Sequence, residues 1–169
     1  MLNRTAQDWE RLRALPALLK ELPAITDELG FHFYSFSCTC PTHEVHAGNL
    51  PLGGERLVQT ALDFRPHHRQ QATVPVLWTK DVFLNRPRLW EVAQGLGLRH
   101  GLIQPVHDGA RQSSLALLRP HVSLSVQELY QKAAQIMWLS ERLHLAATQG
   151  EQHSATLTSL MNLRAHCNE

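Results

Sequence analysis

Leu96–Arg119 reads LGLRHGLIQPVHDGARQSSLALLR, and this stretch decides the fold class. Just upstream, Leu89, Val92, Ala93 and Leu96 recur at helical spacing, with Gly95 and Gly97 placed to close that helix. His100 to Val106 and Ser114 to Leu118 are apolar runs that read as buried strands. Asp108-Gly109 between them is a dipeptide favoured in tight hairpin turns. The gap between the runs is longer than a two-residue loop, which predicts a bulge in the hairpin.

On the amino-terminal side, Thr5 and Asp8 are spaced as a helix cap before Trp9, Leu12 and Leu15. Pro16 ends that helix or opens a new one, because proline lacks the amide that a helix interior needs. Leu18, Leu19, Leu22, Ile25 and Leu29 form a second helical stripe that Pro23 is expected to break or kink and Gly30 to stop. Phe31 to Cys40, FHFYSFSCTC, reads as an aromatic-rich strand, and His43 to Asn49 as a strand returning after Pro41. Residues 50 to 73 have weak periodicity and read as loop with short helical turns.

On the carboxyl-terminal side, Ser125-x-x-Glu128 is a capping box. It predicts one continuous helix over 125 to 148, with Val126, Leu129, Ala133, Ile136 and Leu143 buried and Tyr130, Met137 and Trp138 widening the apolar stripe. Gln149 to Thr158 is polar and reads as a linker, followed by a weak helix. Helices before, between and after antiparallel strands imply an α+β fold, a three-layer α/β/α sandwich with a central antiparallel sheet.

Composition excludes several function classes. At 43% hydrophobic and 18% charged residues, the 169-residue chain can bury one core. A net charge of +1 offers no basic stripe for nucleic acid. The opening MLNRTAQDWERLR is no secretory signal, and no apolar run is long enough to span a membrane. Three cysteines, two of them one residue apart, make no disulfide framework, so a reduced, cytoplasmic protein is expected.

Cys38, Cys40, His43 and His46 have the residue types of a zinc site, but zinc pairs usually carry two to four residues between their cysteines. Strand alternation instead puts both cysteines on the face of Tyr34 and Phe36, where a thiol packs as a small hydrophobe. Gly95-x-Gly97 and Gly101 do not make a dinucleotide fingerprint, since the third glycine would fall on His100 and a helix precedes the pair. No Ser, His and Asp spacing singles out a triad. Neither a metal, a cofactor nor an enzyme activity is expected.

Gly30-Phe31, Asn49 and Pro51, Pro75 and Trp78, Gly101 and Pro105, and Arg119 occur in an order and spacing that resemble the N-terminal signal-binding domain of LuxR-type quorum-sensing regulators. The resemblance covers about residues 15 to 148 and extends to orphan, virulence-linked members of the family. It implies a domain over 1–148 and a linker over 149–169 leading to a C-terminal helix-turn-helix beyond this chain. That module would bind promoter DNA, as part of a homodimer matched to palindromic sites.

The family's signal is an acyl-homoserine lactone, and the resemblance implies which positions would hold it. Trp78 matches the tryptophan that donates to the lactone carbonyl, and Asp63 falls where an aspartate accepts from the ligand amide. The other positions depart from the pattern: Phe64 replaces a proline, Leu50 a tyrosine, Gly54 a tryptophan and Ala116 a serine. Tyr34 and Gly101 complete the residues expected to border a small-molecule signal. Each lost hydrogen bond to a buried ligand group costs ~1–3 kcal/mol. The expectation is therefore a degenerate pocket, with Asp63 turned to solvent or paired with Arg65 or Arg69.

Overall fold

A computed structural model describes the backbone of residues 14–64 and 73–165, and side chains as far as 149. The proposed Thr5 cap, the helix around Trp9 and the arginines at 65 and 69 lie outside the described residues. Helix α1 (Leu15–Glu28) opens with Pro16 in its first turn, where a missing amide costs nothing. It runs unbroken through Pro23, contrary to the expected break. Its end uses the left-handed conformation of Gly30 (φ +82°). There Gly30 N–H donates to Asp27 C=O (2.9 Å) and Phe31 N–H to Thr26 C=O (3.0 Å), a Schellman closure.

Strands β1 (Phe33–Thr39) and β2 (Glu44–Gly48) follow, then helix α2 (Gly54–Asp63). Helix α2 is a correction to the loop expected over 50 to 73. Its buried residues Gly54, Leu57, Val58 and Ala61 do have helical spacing, but half of them are too small to register as an apolar stripe. Strand β3 (Val76–Leu77), a 3₁₀ turn over Lys80–Phe83, and helix α3 (Pro87–Gly95) lead to the hairpin of β4 (His100–Asp108) and β5 (Arg111–Arg119). Pairing runs without interruption from His100–Arg119 to Asp108–Arg111. The hairpin therefore has a two-residue loop and no bulge, because each strand extends beyond its apolar run into polar residues. Gly109, at the first loop position, takes the positive φ (58°) that such a turn requires.

The sheet order is β2-β1-β5-β4-β3, antiparallel throughout. Helix α1 and the long α4 (Val126–Ala165) cover one face. Leu18, Leu22, Ile25, Ile136, Leu139 and Leu143 pack there on Phe36, Leu102, Leu115 and Leu117. Each such buried side chain contributes ~1.5–3 kcal/mol relative to exposure. Helices α2 and α3 and the 3₁₀ turn cover the other face around Trp78, Phe83, Ile103, Ala116 and Leu118. The expected three-layer sandwich is thus present.

Two expectations about α4 need correction. Its backbone stays helical to Ala165, across residues read as a linker from their polarity. Val126 is exposed rather than buried, and Leu129 and Ala133 are half-buried, since the helix enters the core only at Ile136. Ser125 caps α4 through its hydroxyl, which accepts from Glu128 N–H (3.1 Å). The Glu128 carboxylate, though, bonds Arg119 and Lys132 instead of completing the box.

Candidate functional site

Strand register sorts the side chains of the α2/α3 face into rows that cross β1, β5 and β4. Ser35, Ala116 and Ile103 form one row, and Ser37, Ser114 and Pro105 the next. Thr39, Gln112 and His107 form a third. The face therefore grades from apolar to polar along the strands, and the two ends do different things.

The apolar end is centred on Trp78. Its ring is 3% exposed, edge-on to Phe83 (5.6 Å) and tilted against Trp90 (6.3 Å). The indole N–H donates to Leu98 C=O at 2.8 Å. A Schellman turn after α3 presents this carbonyl: Gly97 has φ +82°, and Leu98 N–H returns to Ala93 C=O (3.0 Å). The donor expected to meet a ligand is thus satisfied within the protein. Ala116, fully buried, and Leu50, half-buried, pack into the same apolar cluster. At Gly54, a Cβ would stand 3.0 Å from Leu50 Cβ and 3.2 Å from Leu98 Cδ1. Leucines therefore occupy the space into which a larger residue at 54 would project. Gly101 borders the cluster for a steric reason: its φ is +147°, and a Cβ there would lie 2.0 Å from the Leu117 carbonyl oxygen.

The polar end is a cleft of about 310 Å³ lined by strand residues Ser37, Thr39, Pro105, His107, Gln112, Ser113 and Ser114, with Gln59, Leu62 and Asp63 from α2. Asp63 is exposed at the cleft. Gln59 Nε2 donates to Ser37 Oγ (3.1 Å) across the gap between α2 and β1. Of the six residues expected around a ligand, Trp78, Leu50, Ala116 and Gly101 gather at the apolar end and Asp63 lies in the cleft. Tyr34 is a correction: it packs against the α1/α4 core on the opposite face of the sheet. Alternation already implied this, since Tyr34 shares the parity of Phe36 and Cys38.

The metal-like quartet is split. Cys38 and Cys40 are buried on the α1/α4 face with sulfurs 3.6 Å apart, whereas His46 lies 3.1 Å from Glu55 of α2 on the other side. His43 Nε2 bonds Ala147 C=O at 3.0 Å. One constellation escaped the sequence reading. Ser113 Oγ bonds His144 Nδ1 (2.8 Å), and His144 Nε2 lies 3.9 Å from Asp108. Burial pushes the His144 pKa down, against the charge of Asp108. Ser113 lies in the Cys38 row of the sheet, and its bond to the buried His144 braces the hairpin against α4.

A family model for the autoinducer binding domain matches residues 60–147, more than half of the chain. The chain belongs to the autoinducer-binding domain family of LuxR-type regulators. This domain is 31% identical over 111 residues to the transcriptional activator protein PhzR of Pseudomonas fluorescens, covering 60% of this chain and 46% of that protein. The autoinducer-binding domain described here thus spans about half the length of that relative. Its fold is similar to the N-acylhomoserine lactone-dependent LuxR family factor CepR2 of Burkholderia cenocepacia. The TM-score is 0.63, with 21% identity, over 80% of this chain and 85% of that one. Escherichia coli SdiA, solved in complex with octanoyl-rac-glycerol, is similar with a TM-score of 0.61 and 18% identity, over 90% of this chain and 69% of that one. The relatives are transcription regulators and not enzymes. No helix among the described residues is long and apolar enough to cross a membrane.

Proposed function

We propose that this autoinducer-binding domain is the sensory part of a cytoplasmic LuxR-type transcription regulator that does not read acyl-homoserine lactones. One observation carries the reading: the Trp78 indole is bonded to Leu98 C=O inside a cluster that Leu50 and Leu98 pack shut at Gly54. A lactone at that end would have to break the Trp78 bond and displace packed side chains. It would also meet apolar atoms at positions 50 and 116, where the family pattern has polar ones. Two or three unmade hydrogen bonds at ~1–3 kcal/mol each lower affinity by several powers of ten.

Thermal melting of the chain with short-, medium- and long-chain acyl-homoserine lactones tests this, since a ligand held only by the native state raises the midpoint. No lactone is expected to move it. A rise of several degrees with any of them would establish a working lactone receptor instead. That second reading is favoured by the retention of both Asp63 and Trp78. The SdiA complex supports a broader point: a domain of this fold accommodates octanoyl-rac-glycerol, which is not a lactone. Promoter DNA would be bound by a helix-turn-helix module of the complete protein, acting as a homodimer.

A further inference from the structure

We propose that the polar cleft beside Asp63 binds a compact, uncharged, polyhydroxylated molecule, a polyol or monosaccharide, with Ser114 as its central contact. The inference rests on the reading that the Trp78 end is filled by side chains, which leaves the cleft as the accessible part of this face. Ser114 is 6% exposed and lines the cleft; no hydrogen bond to its hydroxyl is formed among the described residues, and the oxygen is not one of their fully buried unpartnered atoms, so it opens to the cleft. An open hydroxyl that no protein group holds can donate to or accept from a molecule in the cleft. Ser37 stands beside it in register on β1. Paired residues on neighbouring strands are about 5 Å apart, so one small molecule can bridge both hydroxyls. Ser37 Oγ already accepts from Gln59, which leaves its own proton to donate. Ser114 can donate or accept, and Asp63 accepts.

That mixture of donors and acceptors matches hydroxyl groups, each of which does both. Other ligand classes fit less well. Only Leu62 and Pro105 among the described lining residues are apolar, too little to bury an acyl chain. No lysine or arginine is among those residues, and Asp63 repels an anion. The volume of about 310 Å³ lies at the small end of ligand sites, roughly 300–1,000 Å³.

Polyols raise the melting temperature of most proteins by preferential exclusion, so binding is best read site by site. The test is amide chemical-shift mapping of the whole chain with glycerol, myo-inositol and glucose, and separately with octanoyl-homoserine lactone. Saturable shifts at Ser37, Gln59 and Ser114 with at least one polyol, abolished by Ser114→Val, are expected. Should Ser114→Val fail to fold, Asp63→Leu on the exposed rim replaces it, with at least a several-fold loss of affinity expected. Silence from all three polyols, or shifts that persist unchanged in the folded variant, would overturn the assignment and leave a cleft filled by water. Shifts at the Trp78 indole with the lactone would instead overturn the filled-core reading on which it rests.

Discussion

Trp78 concentrates the question of this domain in one side chain, because its indole N–H can serve the fold or a ligand but not both. Bonded to Leu98 C=O, it serves the fold. Trp78→Phe should therefore destabilise the ligand-free protein by about 2–4 kcal/mol, from a stranded carbonyl and a partly emptied site. Urea unfolding measures this directly, and an unchanged midpoint would mean that the indole is held in reserve for a ligand. Val122 is a second informative residue. It is β-branched and exposed, yet its φ is +64°, a conformation that costs a non-glycine residue ~1–2 kcal/mol. The strain turns the Val122 and Ser123 carbonyls onto the Arg119 guanidinium (2.8 and 3.1 Å). Val122→Gly should retain those bonds and raise the melting temperature by roughly 2–4 °C. A fall would show that the valine side chain contributes more than its backbone costs.

Among the elements, the junction of α1, β5 and α4 is held by a network of charged hydrogen bonds. Arg119 reaches Gly30 C=O and both oxygens of Glu128 and lies over the Phe31 ring, while Lys132 joins Glu128 to Leu29 C=O. Hydrogen bonds from these two cations lower the Glu128 pKa from 4.5 to about 2. The unfolded chain therefore binds the proton first, so this stabilisation is full above about pH 4.5 and is lost as pH falls towards 2. Glu128→Gln should cost about 1–3 kcal/mol at neutral pH, and its stability should converge on that of the parent in acid. A gap that stays constant down to pH 2 would count against the pairing. His144 acts at higher pH. Burial lowers its pKa, so stability falls as pH drops below the ordinary imidazole value of 6.5. A parent whose stability is flat from pH 7 to 5 would contradict that.

For the whole molecule, the proposed homodimer needs a surface, and the first half of α4 offers one. Tyr130 is 80% exposed, with Val126 and Met137 on the same side of the helix. Tyr130→Glu should shift sedimentation from dimer to monomer without lowering the melting temperature of the monomer. A parent that is monomeric at high micromolar concentration would place any dimer contact outside this chain.

Most elements were legible in local pattern, because strand alternation, glycine stops and the Ser125 cap each report a backbone requirement that neighbouring residues must meet. The family was legible in the spacing of Gly30, Pro51, Trp78, Gly101 and Arg119. Helix α2 was not, since its contact residues Gly54 and Ala61 are too small to mark an apolar face, and neither was the exposure of Val126, which depends on where α4 meets the sheet. The site was legible only in part. Sequence identified the unusual residues at 50, 54 and 116, but it counted Tyr34, which packing puts on the opposite face of the sheet, among the residues around a ligand. It could not show that Leu98 supplies the acceptor for Trp78, or that Ser37 and Ser114 stand side by side with one hydroxyl unpaired. Those facts join residues far apart in the chain, and only packing of the sheet against its helices decides which distant polar groups meet and which are left without partners.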